Sequence, residues 1–516
     1  MQQSQSKQQV GGILGFIERI GNKIPDITIL FISAFLLVCV VSAVLAQIHF
    51  NYVHPATGRP IEITNMLSGK ALVDLMSKMV TNYANFPPLS MVIVTKLGIG
   101  IADGSGYINT GLKKILSITP KVLITPVVIL VGMLSHLGPD SGYVIIIPIA
   151  AYMFYAVGKH PLAGIAASFA GIAGAFAANY TPSAIDPVIQ GFTQSAAQII
   201  DPGYQVNVLC NYFYAFASTF IVIGACWWVT EKITNPWLWK ACPLDDDLDL
   251  GNENNSSITP SENRAFKIAT AVLLLMLTGL AAALYPADSI LRAPDGVIAS
   301  FKAPIMQSIV SLIFIFAALV GLVYGIACGK FKSPKDVTAA MEEITKTLVQ
   351  LIVFYFFAAQ FLYAFGASNM GALIAVSGAE FLKSLNLPPQ VTVFGIIVFV
   401  ALLNLIITSA SAKWAILAPI FVPMLMAVGI APELTQVAFR VSDSAVNVVT
   451  PMFAFYPLII LYCQKYVKNA GIGTLSSMML PYTIALLVSL TFMLYLFWWL
   501  DIPLGFQADY VYPRRF

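Results

Sequence analysis

Apolar residues in this chain fall in long runs separated by short polar stretches, so the first question is how often it crosses a bilayer. A helix of about 20 apolar residues is long enough to span one. The pattern predicts spans at 25–47, 88–112, 207–230, 266–286, 304–328, 347–373 and 475–500. Two longer runs, 162–200 and 434–464, are interrupted by polar residues and predict broken helices. Two more, 122–157 and 391–429, carry small and polar residues at their centres and predict re-entrant hairpins. A short polar helix is expected from Ser333 to Lys346. The expected fold class is an all-α polytopic membrane protein with about nine transmembrane helices plus two re-entrant hairpins.

The interrupted runs repeat. Ser135–Pro148 aligns with Ile406–Pro419 at one constant offset, which also pairs Ile149 with Ile420, Met153 with Met424 and Tyr143 with Trp414. Duplicated, interrupted apolar segments are the sequence mark of a transporter's binding site. The chain therefore divides into an N-terminus (1–24), a first repeat (25–231), and a middle section (232–302) with a polar loop, a linker span and an outer loop. A second repeat (303–500) and a tail (501–516) follow. The single linker span turns the second repeat upside down relative to the first. Arg19 and Lys23 place the N-terminus in the cytoplasm by the positive-inside rule, and Lys113, Lys114, Lys159, Lys232, Lys330 and Lys335 then fall on the same side. Arg514 and Arg515 fall outside and do not fit.

Composition agrees with a membrane protein. Of 516 residues, 58% are hydrophobic and 10% charged, against about 25% charged in soluble domains. A net charge of +3 gives no reason to expect a nucleic-acid partner. The six cysteines are scattered singly, without metal spacing. No hydrolase signature such as HExxH or GxSxG occurs, so no enzyme activity and no cofactor is expected.

Four breaks carry the candidate chemistry: Gly138–Gly142, Asn179–Ser183, Ser409–Lys413 and Ser444–Pro451. Irregular backbone at membrane depth persists only where it is buried in protein or lines a watery cavity. Oxygen ligands of the kind a sodium ion wants are present at Asp140, Ser141, Asn179, Ser409, Asp443 and Asn447. Thr181 and Ser411 add hydroxyls beside them. The alternative is that proline and glycine kink packed helices whose hydroxyls bond back to the backbone. Charges inside apolar runs are the second signal, because each costs about 2.5–3.5 kcal/mol at the bilayer centre. They are Asp140, Asp186, Lys413, Arg440 and Asp443. Arg440 and Asp443 are spaced to neutralise each other on one helical face, for function or for structure alone. Lys96, Asp103 and Glu380 are read as span-end residues that snorkel. Tyr143 and Trp414, at matched positions, offer aromatic faces to a ring-bearing substrate.

The stretch Ser409-Ala-Ser-Ala-Lys-Trp-Ala-Ile-Leu-Ala-Pro419, with Pro432, Arg440-Val-Ser-Asp443 and Asn447-Val-Val-Thr-Pro451, resembles the AbgT family of p-aminobenzoyl-glutamate transporters, in the ion transporter superfamily. That resemblance implies a bowl-shaped homodimer in the bacterial inner membrane, embedded in lipid, with an outer scaffold and an inner transport core in each protomer. It implies proton- or sodium-driven transport of p-aminobenzoyl-glutamate and related aryl compounds, with sulfonamide efflux in some members. The family's motif positions carry over to Asp186, Asn404, Trp414, Pro432, Arg440, Asp443 and Pro451. Asp443 would then couple the ion, Arg440 would meet a substrate carboxylate or pair, and Trp414 would contact the ring. A sodium-coupled dicarboxylate carrier is the alternative. Against it, the hairpin tips lack the Ser-Asn-Thr pattern of those carriers.

Overall fold

In the computed structural model, residues 25–54, 58–135, 142–245, 258–300 and 302–513 are described. The long apolar runs are helices, and they occur in one order twice. In the first half these are α1 (Ile27–Leu45), α2 (Gly69–Ala84), α3 (Pro87–Ser105), α4 (Tyr107–Ser117), α5 (Ile124–Leu134), α6 (Ile147–Ala156), α7 (Pro161–Gly174), α8 (Ile185–Ala197) and α9 (Tyr212–Val229). Two connecting helices follow, α10 (Asn235–Ala241) and α11 (Pro260–Leu284). The second half repeats the order with α12 (Ile309–Ala327), α13 (Pro334–Lys346), α14 (Val349–Ala367), α15 (Met370–Ser384), α16 (Pro389–Asn404), α17 (Ala410–Met426), α18 (Pro432–Val446), α19 (Tyr456–Gln464) and α20 (Ile472–Trp499). Among the described residues, seven helical segments are long and apolar enough to cross a membrane, or up to nine if each of two bent pairs is one span. The expected broken helices are α7 with α8 and α18 with α19; the hairpin arms are α5 with α6 and α16 with α17.

Sequence and structure differ at three places. The span expected at 88–112 stops at Ser105, because Gly106 takes a left-handed conformation (φ 96°) and redirects the chain into α4. In the second half the span expected at 347–373 ends at Ala367, and Asn369 (φ 60°) opens α15 in the same way. Helix α2 was not expected, since its apolar and polar residues mix. It is the counterpart of the polar helix α13, whose start is fixed by Ser333 and Asp336. The backbone N–H groups of Lys332 (2.7 Å) and Ser333 (2.8 Å) donate to the Asp336 carboxylate and hold it below the usual carboxylate range.

The two halves pack reciprocally. Helix α1 lies on α14 and α3 on α12; α2 covers α14 and α13 covers α3. The last helices, α9 and α20, pair with each other. These outer pairs surround the hairpins and broken helices, where α5 and α6 pack on α7, α17 packs on α8 and α18, and α16 packs on α18. Between apolar helices in lipid the drive to associate comes from close packing, so small residues sit at the crossings. At the α3–α12 crossing, a Cβ added to Gly98 would meet Phe314 O at 2.5 Å, and one added to Gly321 would meet Ala102 N at 2.5 Å. Both obstacles are backbone and cannot step aside. Gly321→Leu should therefore push these helices apart and lower stability by about 1–3 kcal/mol, the usual range for overpacking. Thermal unfolding of the purified protein in detergent checks this, with Gly279→Leu, at a position with open space around it, as the harmless control.

Candidate functional site

Each broken helix leaves carbonyls and N–H groups without helical partners, and side chains from elsewhere take them up. Gly174 ends α7, which frees the carbonyl of Phe176. Arg440, from the middle of α18, donates to that carbonyl through Nε (2.8 Å) and Nη2 (2.5 Å). The third arm of the guanidinium, Nη1, lies 2.7 Å from Asp186 on α8. One side chain of the second half thus holds both ends of the break in the first half. Asp186 is itself aimed by Ser183, whose N–H (2.7 Å) and hydroxyl (3.0 Å) donate to its other oxygen. The second break is tied in a related way. Thr450 Oγ1 donates to the Leu405 carbonyl at the end of α16 (2.8 Å), and Asn404 Nδ2 donates to the Asp443 carbonyl (3.1 Å).

A second ion pair lies deeper. Lys413, in the first turn of α17, places Nζ 2.5 Å from Asp443 Oδ1, with the two side chains 0% and 1% exposed. Lys413 Nζ also donates to Asn404 Oδ1, and Asn447 Nδ2 donates to Asp443 Oδ2 at 3.0 Å. The expected neutralisation of Arg440 by Asp443 is therefore corrected: each has a partner on another segment. Three residues apart on one helix, the two side chains leave α18 toward different neighbours, and burial demands a close counter-ion for each. At the matching positions of the first half, Lys413 and Asp443 are replaced by Gly142 and Ile172. A Cβ on Gly142 would lie 3.3 Å from Ile172 Cδ1, so the two places match in space while only one carries charge.

Between these elements lies a cavity of about 310 Å³. Its wall is drawn from both hairpins (Ser135, Tyr143, Thr408, Ser411), both breaks (Phe176, Ala184, Asn447, Phe453, Phe455), α3 (Val92, Lys96) and α14 (Leu351, Tyr355), and it includes Asp443. Tyr143 stacks on Phe455 with ring centres 4.3 Å apart and planes 6° apart, and Phe453 closes the cluster 5.5 Å from Tyr143. A much smaller space of about 10 Å³ is bordered by Asn179, Thr181, Asp186 and Arg440. There the Asn179 Oδ1 accepts from Thr181 N and Oγ1, both at 3.2 Å.

The sequence-derived candidates therefore separate. Ser411, Asp443 and Asn447 line the large cavity, while Asn179, Thr181, Asp186 and Arg440 border the small one. Asn404 is fully buried and acts on Lys413 and on the Asp443 backbone. Ser409 stands at the residue before α17 without a side-chain bond to its first turn, Pro432 opens α18, and Pro451 lies within the second break. Trp414 lies away from both spaces. It is fully buried, stacked on Phe439 at 4.5 Å, and its indole N–H donates to Thr193 Oγ1 at 2.9 Å. Of the oxygen set considered for sodium, Asp140 and Ser141 lie outside the described residues, and the others do not converge: Asn179 borders one space, Asp443 and Asn447 the other.

Lys96 was set aside as a span-end residue, yet it lies at the middle of α3 and lines the large cavity. A charge in the middle of an apolar helix carries the same cost that singles out Asp186 and Asp443, and that signal applies to Lys96 as well. Glu433 was also overlooked, although α18 buries it completely and Tyr204 Oη donates to it at 2.9 Å. Its place just after the Pro432 start of a helix reads as an ordinary first-turn acid, so local spacing carries no separate signal for it.

Comparison with known proteins places this geometry. Residues 12–512 match the family described as "AbgT putative transporter family". The p-aminobenzoyl-glutamate transport protein of Escherichia coli (strain K12) is 32% identical over 511 residues, covering 99% of this chain and 98% of the relative. Among solved structures, the Neisseria gonorrhoeae MtrF structure, described as illuminating a class of antimetabolite efflux pumps, superposes with a TM-score of 0.90 at 39% identity. It covers 96% of this chain and all of that one. The Alcanivorax borkumensis YdaH transporter, described as having an unusual topology, gives a TM-score of 0.87 at 36% identity, covering 93% of this chain and 100% of that one.

Removing one member of a buried ion pair strands the other and costs about 3–5 kcal/mol, whereas replacing both by apolar residues is close to neutral. Lys413→Met should therefore lower the unfolding temperature sharply. The double variant Lys413→Met with Asp443→Leu should recover most of the loss, as read in a double-mutant cycle of thermal stability.

Proposed function

Because this chain belongs to the AbgT transporter family, a family of multi-pass membrane transporters and not of enzymes, we propose that it is a secondary active transporter of p-aminobenzoyl-glutamate and related aryl compounds, driven by an ion gradient. The observation that carries the reading is the buried Lys413–Asp443 pair at the wall of a cavity assembled from both hairpins and both broken helices. A carboxylate on a broken helix whose counter-ion is an ammonium on the neighbouring hairpin arm can serve as a two-state element. When Asp443 takes up a proton, Lys413 loses its partner, and the contact between α17 and α18 weakens. When the proton leaves, the contact reforms. The proton is accordingly the coupling ion in this reading, and sodium is the alternative that the test must also address.

The duplicated order of elements and the reciprocal packing of the outer helices support an inverted repeat, in which the two hairpins enter from opposite sides and alternate access to one site. Orientation with the N-terminus in the cytoplasm of a bacterial inner membrane follows from the distribution of lysines and arginines. A homodimer is part of the same proposal.

The test is uptake of radiolabelled p-aminobenzoyl-glutamate into proteoliposomes, with proton and sodium gradients imposed separately. A proton gradient should drive flux in the wild type and fail to do so in Asp443→Asn, with at least a tenfold loss of the gradient-driven rate as a rough bound for a lost coupling group. Flux driven by sodium alone would transfer the coupling role to that ion. Gradient-driven flux unchanged in Asp443→Asn would remove Asp443 from the mechanism.

A further inference from the structure

One groove of the molecule takes no part in the transport reading. It is an open cavity of about 640 Å³ where both feet of the first hairpin meet the end of α9. The turn Lys121–Leu123 leads into α5, Val157 and Lys159 follow α6, and Thr230–Thr234 continues α9. The wall carries three lysines, Lys121, Lys159 and Lys232, against one carboxylate, Glu231. Glu231 is already taken: Lys159 Nζ lies 2.5 Å from it, and Thr125 Oγ1 donates to the same oxygen at 2.5 Å. Lys121 and Lys232 are exposed, and among the described residues their side chains have no ion-pair or hydrogen-bond partner. The groove therefore holds two uncompensated positive charges. Beside them stand two indoles, Trp227 and Trp228, 39% and 59% exposed. The lining continues to Gly224, where an added Cβ would meet nothing within 4 Å. Phe220 and Phe216 follow at four-residue steps along the same exposed face of α9, into the span.

We propose that this groove binds an anionic phospholipid, its headgroup phosphate held by Lys121 and Lys232 and an acyl chain lying along the Gly224–Phe220 face. Lysines at the end of a span attract acidic lipid, each adding about fivefold to the affinity near a bilayer surface. Tryptophan favours that same depth, where its ring meets both hydrocarbon and headgroups. Charge selects the acidic class, because a zwitterionic lipid brings a cation of its own to a groove already positive. The apolar face selects a lipid over a free phosphate, which has no chain to lay there. The Lys159–Glu231 pair keeps the one carboxylate from opposing the phosphate. Such a lipid touches both feet of the first hairpin and the end of α9 at once, and so joins three segments of the first half. The inference holds for a membrane protein of this shape whatever compound it carries.

Quenching of tryptophan emission by brominated lipid tests this on the full-length protein in phosphatidylcholine bilayers. Brominated phosphatidylglycerol is added in steps, and a reciprocal series uses brominated phosphatidylcholine. The emission of Trp227 and Trp228 is obtained by difference from Trp227→Phe/Trp228→Phe in each background. Two lysines should give phosphatidylglycerol about a 25-fold preference at this position. Lys121→Gln/Lys232→Gln should bring the two lipids to within about threefold of each other, and Lys121→Arg/Lys232→Arg should restore the preference, since arginine keeps the charge. Equal quenching by the two lipids in the wild type overturns the proposal, as does a preference that survives Lys121→Gln/Lys232→Gln. A preference that the arginine pair fails to restore would make the lysines structural and overturns it too. The same loss in Lys332→Gln/Lys335→Gln would show diffuse charge and no site. Displacement of brominated phosphatidylglycerol by inorganic phosphate at constant ionic strength would make the groove an aqueous anion site. Quenching by neither lipid would mean that a second copy of the chain covers it. Each of these three results also sinks the lipid assignment.

Discussion

A helix broken inside a membrane has no water to satisfy its exposed backbone, and the arrangement of this protein depends on how that demand is met. The Phe176 carbonyl, freed where α7 ends, takes two hydrogen bonds from Arg440, a residue of the other broken helix. Leu405 and Asp443 carbonyls are taken up by Thr450 and Asn404. An unsatisfied group of this kind costs several kcal/mol in hydrocarbon, so these contacts are what permits irregular backbone at the site. The guanidinium suits the task because it presents several donors in one fixed plane, two for a carbonyl and one for the Asp186 carboxylate. Once Arg440 is fixed to the first break, Asp443 on the same helix has to find a different cation, and Lys413 supplies it.

This division gives the two halves different work. In the first half, the positions that correspond to Lys413 and Asp443 are Gly142 and Ile172, which meet without charge. The first hairpin is therefore held to its broken helix by close packing, and the second by an ion pair. Packing contacts between glycine-rich surfaces respond little to the protonation state of their surroundings, whereas a buried carboxylate–ammonium contact changes sign of preference when one proton is added. The two halves share one order of elements and differ in charge at these two matched positions.

Much of this was legible in the sequence because bilayer thickness sets a length scale that soluble proteins lack. The crossings, both interrupted hairpins and both broken helices follow from run length and from polar residues inside apolar runs. The matched spacing of Pro148 and Pro419, and of Pro161 and Pro432, made the repeat visible. The family resemblance of the 409–419 and 440–451 segments agrees with the match over residues 12–512. What sequence reasoning missed were partners. Nothing in local spacing distinguishes Arg440 facing Asp443 from Arg440 facing Asp186, since the second contact joins residues far apart in the chain. Helix α2 was missed because its apolar and polar residues mix along its length, which breaks the apolar run that marks a crossing. Lys96 was misjudged because a lysine inside an apolar run reads either as a snorkelling side chain or as a mid-helix charge, and it is the cavity wall that separates the two.

The reciprocal packing of the outer helices bears on how such a chain is made. Helix α1 finds its partner in α14, and α3 finds its partner in α12, so neither helix of the first half has its mate until the second half has left the ribosome. The first repeat must wait in the membrane with the glycine face of α3 turned toward lipid, tolerable there because hydrocarbon is as apolar as the partner it awaits. The bilayer acts as a holding solvent for helices that have yet to meet their partners. The halves are thus obligatory partners, and a chain cut in the polar loop between α10 and α11 would yield two inserted fragments whose outer helices complete only each other.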